Sequence, residues 1–138
     1  MEQRDYLLRE IEKIGKMLAM MLSKMIAIRD SEITKTEKLF ETEKEMLLSE
    51  IGFDTEFFLS LEKAQIEPYI SGLKGFNAAN IELLADLLHE LGMMYDRTMK
   101  SEYLEKALNL YELTTALDKT FSEDRFGKIT SIKKELSC

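Results

Sequence analysis

Apolar residues recur in alternating steps of four and three at Leu7, Ile11, Ile14, Leu18, Met21, Met25 and Ile28. An unbroken heptad seam of this kind makes residues 3–29 one helix built to lie along another. Tyr6, Leu8, Met17, Met20, Leu22 and Ile26 widen the apolar surface, so this helix needs more than one neighbour. Its polar face mixes Arg9, Glu12, Lys13 and Lys16, unlike the basic face of a helix that lies on a membrane. The seam loses phase at Asp30-Ser31. The next apolar row is Ile33, Phe40, Leu47 and Ile51, whereas seven steps from Ile28 reach Lys35. A turn or kink is expected over 30–32, with Thr34 and Glu37 spaced as a capping box. A single bent helix over 3–50 stays open, since neither Gly nor Pro interrupts it.

Farther along, punctuation residues divide the chain. Gly52 ends the second apolar row. Asp54 is placed to cap a short helix over 55–64, with Phe57, Phe58 and Leu61 inward. Pro68 suits the first turn of another short helix, where its missing N–H leaves nothing unpaired. Gly72 and Gly75 bracket a turn. Asn77 is a good N-cap for a helix running to about Arg97, and Phe76 and Ile81 occupy the two positions of a hydrophobic staple. Ser101 starts a partner helix that ends near Asp118. Ser122 caps a last helix over 123–136, with Phe126, Ile129, Ile132 and Leu136 on its buried side. Gly127 weakens that helix by about 1 kcal/mol relative to Ala.

The whole of 1–138 therefore reads as a single all-α domain of antiparallel helical hairpins or a bundle. A long helix or helical hairpin spans 3–51, and packed helices span 77–136. Composition agrees: Pro68 is the single proline and Gly occurs six times. Formal net charge is −7, which opposes nucleic-acid binding through phosphate neutralisation. The acid is concentrated in residues 31–75, which carry ten acidic and five basic side chains. The apolar run Met17–Ile28 is too short to span a bilayer and contains Lys24. Cys138 is the one cysteine, so no intramolecular disulfide can form. No segment reads as a targeting signal. A cytoplasmic protein without membrane insertion is the expectation.

Within 77–118, Leu88, Leu91-Gly92 and Tyr95 precede Ala107 and Tyr111. This pair resembles a tetratricopeptide repeat, a helix-turn-helix unit of about 34 residues. In that family small residues let two helices approach and aromatic residues fill the groove between them. The resemblance implies that Gly92 and Ala107 take the first role, and Tyr95 and Tyr111 the second. The opening Gln3-Arg4-Asp5-Tyr6-Leu7-Leu8-Arg9-Glu10-Ile11-Glu12-Lys13-Ile14-Gly15 resembles the start of small uncharacterised bacterial helical proteins. It implies a bacterial source and a helical fold, and no activity.

Candidate chemistry is sparse. His89 is the sole histidine, with Glu82, Asp86 and Glu90 on the same helix. Asp86 and His89 are three apart, as ligands are in helical di-iron carboxylate sites, but such sites need the pair twice. The plainer reading is a polar helix edge, with small-ligand or metal binding near His89 as a minor alternative. No Ser lies in a nucleophile elbow and no Gly-rich loop carries the Lys-Ser/Thr of a phosphate cradle. Neither an enzyme nor a cofactor is expected. Nine methionines, four of them at positions 17–25, suit gap-filling or an adaptable binding surface.

Two readings follow. One is a non-enzymatic helical module that binds a protein or peptide partner, a basic one where the middle acidic helix is concerned. The other is a structural homodimer whose interface is the seam Leu7, Ile11, Ile14, Leu18, Met21 and Met25.

Overall fold

The computed structural model describes residues 2–30 and 37–137; for Glu2, Gln3 and Glu37 it describes the backbone alone. Seven helices follow one another among them: α1 (Glu2–Arg29), α2 (Glu37–Met46), α3 (Thr55–Leu59), α4 (Lys63–Ser71), α5 (Ala78–Met93), α6 (Arg97–Asp118) and α7 (Glu123–Leu136). The fold is all-helical, with no strand among the described residues. The expected capping box of Thr34 and Glu37, and the turn at 31–32, lie outside the described side chains. Lys24 and Glu43 lie 3.1 Å apart. In one continuous helix those 19 residues would span about 28 Å, so α2 returns against α1.

Helix α5 is the centre. Ile81, Leu84, Ala85, Leu87, Leu88 and Leu91 are all buried, which places apolar contact on more than one face, as a helix packed from two sides requires. On one side lies α1. Asn80 Nδ2 donates 2.8 Å to the Ile11 carbonyl and 2.7 Å to that of Gly75, and Arg29 reaches Glu90 at 2.7 Å. On the other side lies α6. A Cβ on Gly92 would sit 2.9 Å from Cβ of Tyr103 and 3.2 Å from Leu104; only glycine admits that approach. Helix α7 packs along α6, and α3 and α4 lie against α6 as well.

Local signals explain most boundaries. Asn77 accepts from Asn80 N at 3.0 Å and Ser122 from Arg125 N at 3.1 Å, as N-caps do. Helix α2 widens into a π turn over Leu47–Ile51 and stops at Gly52, which takes a left-handed φ of 82°.

Four boundaries differ from expectation. The segment 55–64 is not one helix: α3 closes at Leu59, and α4 begins at Lys63 behind a capping box of Glu62 and Gln65. Pro68 therefore lies inside α4 rather than in its first turn. Helix α5 stops at Met93 and α6 starts at Arg97, earlier than the expected Arg97 and Ser101. There Tyr95 leaves the helix to stack between Phe40 at 4.3 Å and Tyr103 at 5.1 Å. Phe57 and Phe126, expected inward, are 52% and 57% exposed. Phe53 takes the buried place beside Phe58, and Arg125 turns inward on α7 instead of Phe126.

Candidate functional site: the open end of α1 and the polar cluster around His89

The structure divides the seam. Ile14, Leu18, Met21 and Met25 are buried by the chain's own helices, Ile11 is half-buried, and Leu7 is 54% exposed. The cause is a mismatch of length. Helix α1 has 28 residues and α5 has 16, about 42 Å against about 24 Å. Cover begins where Asn80 grips the Ile11 carbonyl, so the first turns of α1 extend past α5. Tyr6 and Leu8 flank Leu7 there, 48% and 55% exposed. The Lys74 ammonium lies 6.0 Å from the Tyr6 ring centre.

The second place of note is polar. Arg125 is buried on α7 and its Nη2 lies 2.9 Å from Glu82 and 2.7 Å from Asp118. Lys128, one turn on, lies 2.9 Å from Asp86, 3.1 Å from Asp124 and 3.4 Å from Glu82. The Tyr111 hydroxyl donates a short hydrogen bond to Asp86, and His89 meets the Tyr111 ring edge-on at 6.4 Å. Asp86, His89, Glu90, Asp124 and Lys128 line a groove of about 370 Å³ whose opposite wall is Leu22 and Ile26 of α1.

Environment shifts several of these groups. Burial pushes the His89 imidazole down, more than Glu90 and Asp86 push it up. Burial, reinforced by Asp86, drives the Tyr111 hydroxyl far above its ordinary range. Burial also pulls on the Lys128 ammonium, but its carboxylate partners, Asp86 first, outweigh that and raise it. The Arg125 hydrogen bond, then the Thr120 N–H, holds the Asp118 carboxyl at about 2.

Two of the acidic residues singled out around His89, Glu82 and Asp86, are engaged by cations of α7, and Glu90 is held by Arg29. Asp86 points to Tyr111 and Lys128, and no group of three His, Cys, Asp or Glu is placed to hold a metal ion among the described residues. The arrangement bolts α7 to α5 and α6. Arg125, Lys128 and Asn80 were not legible as such: an Arg or Lys on a short polar helix carries the same local pattern whether it faces water or a buried carboxylate.

Acid should loosen this bolt. Asp118 has a depressed value, so its contribution is whole above the usual 3.8 and is lost as pH falls through about 2. His89 also has a lowered value; the stability of its neutral ring is whole above 6.5 and is lost as pH falls through the folded-state value. Melting temperature should therefore decline from pH 7 to pH 5, and His89→Gln should flatten that decline. A parallel decline in both proteins would contradict it.

No helix among the described residues is long and apolar enough to cross a membrane. Models of known protein families, curated proteins and solved structures yield no match to this chain.

Proposed function

We propose that this chain is a non-enzymatic helical module that docks a protein partner along the open end of α1. The observation that carries the reading is the continuation of a core-forming seam into water: Leu7 lies on the same face as Ile14 and Met21 but is 54% exposed, with Tyr6 and Leu8 beside it. Contiguous apolar surface of this kind marks interaction sites. A partner helix laid there extends the packing that α5 provides farther on. The engagement of Glu82, Asp86 and Glu90 by Lys128, Arg125 and Arg29 supports a scaffold rather than a reactive centre.

Helices α5 and α6 would then form a repeat-like pair. Contacts run from Gly92 with Tyr103 to Asp86 with Tyr111, the order expected of an antiparallel, tetratricopeptide-like pair. Gly92 and Ala107 are buried at that contact, and Tyr111 fills it. A single cysteine, and no helix among the described residues long and apolar enough to cross a membrane, suit a cytoplasmic setting.

A second reading, self-association, is favoured by the mixed charge of the open end. Arg4, Arg9 and Lys13 are interspersed with Asp5, Glu10 and Glu12, so this stretch carries no net charge that would repel a second copy. A photoactivatable residue at position 8 tests both readings, with one at exposed Lys133 as control. Adducts to another protein from position 8 alone support a partner. Adducts at twice the chain's mass support a homodimer. The absence of any adduct specific to position 8 would overturn both.

A further inference from the structure

On a different face, α2 and the start of α3 enclose a hollow of about 180 Å³ lined by Glu41, Lys44, Glu45, Leu48, Asp54, Thr55 and Glu56. It adjoins a second hollow, of about 300 Å³, which shares Lys44 and Glu56 and adds Leu59, Met99 and Glu102. Together they form one groove from α2 across to α6. Five carboxylates face a single cation. Lys44 lies 3.7 Å from Glu41 and 3.6 Å from Glu56, and no cation reaches Glu45 or Glu102 within ion-pair distance among the described residues.

A surplus of acid on a surface is ordinary; the unpaired hydroxyl buried beneath this groove is not. Thr55 is 3% exposed and its Oγ1 makes no hydrogen bond among the described residues. A buried polar atom without a partner is unfavourable, and such groups are rare in folded proteins. Beside it Leu48 is 54% exposed, an apolar contact at the mouth of an acidic hollow.

We propose that this groove docks a basic amphipathic segment of a partner protein. A lysine or arginine of that segment enters the smaller hollow. Its alkyl stem lies on Leu48 and its charged head sits among Glu41, Glu45 and Glu56. An apolar residue of the same segment rests on Leu59 and Met99, where a flexible methionine adapts to the shape presented. Charge complementarity chooses the partner's sign, and the apolar contacts distinguish a protein segment from a free polyamine.

The probe is a synthetic 14-residue helical peptide of lysine and leucine, titrated into the full chain labelled for amide NMR. Two comparisons accompany it: the same peptide with glutamate in place of lysine, and spermidine. The lysine peptide should shift amides of 41–48, 54–56 and 99–102. The double variant Glu41→Gln/Glu45→Gln, both at exposed positions, should bind it at least tenfold more weakly. Leu8→Ser should leave binding of the lysine peptide unchanged, so loss here and loss at the open end of α1 are separable. Shifts spread over the whole surface, equal binding of the glutamate peptide or of spermidine, or unchanged affinity in the double variant would each overturn the proposal.

Discussion

Ile14→Glu and Met21→Glu should each unfold the chain at room temperature, whereas Leu7→Glu should leave its melting transition nearly unchanged. All three residues belong to one heptad seam, so sequence treats them alike. Ile14 and Met21 are 3% and 2% exposed and Leu7 is 54% exposed. A carboxylate at either buried position must be desolvated, at several kcal/mol or more. A domain of this size is stable by only about 5–15 kcal/mol. At Leu7 the same carboxylate stays in water, and surface changes fall within about 0.5 kcal/mol. Circular dichroism during thermal and urea denaturation reads all three variants. A folded, soluble Met21→Glu protein would show that the seam is not covered by its own chain.

The second large effect concerns Lys24 and Glu43, whose substitutions should act in opposite directions. The Glu43 side chain is fully buried, and its Oε1 lies 3.1 Å from the Lys24 ammonium. Neither carboxylate oxygen makes a hydrogen bond among the described residues, so the contact is an ion pair and no more. Lys24→Met removes the one countercharge found among the described residues and should destabilise by about 3 kcal/mol, the low end for a broken buried pair, because Lys24 is itself 48% exposed. Glu43→Leu removes the buried charge instead and should be neutral or stabilising by about 1–4 kcal/mol. The surviving lysine can carry its ammonium into water along its alkyl stem. Urea denaturation midpoints decide the matter. Two small shifts of the same sign would mean that Glu43 is not the desolvated charge that this geometry describes.

Much of the secondary structure was legible because its causes are local. The heptad steps of α1, the Asn77 and Ser122 caps and the Gly52 stop each depend on residues within one or two turns. The all-helical class followed from the same signals. The errors lie where a distant residue competes. Tyr95 continues a helical pattern yet leaves the helix, because rings from Phe40 and Tyr103 lie on either side of it. Phe126 has the right spacing for the core of α7, but Arg125 turns inward, drawn by Glu82 and Asp118. The polar groups with the most to say, Glu43, Thr55 and Asn80, read as ordinary helix-surface residues until their neighbours are known.

The sequence alone determined that the chain is helical, where several helices begin, and that α1 carries an apolar stripe along its length. Those properties arise from hydrogen bonds and side-chain spacing within a few residues. Only the tertiary structure decided which part of that stripe is core and which part is open. That outcome depends on where the shorter α5 begins and ends along α1, a relation between segments some 70 residues apart that no local period encodes.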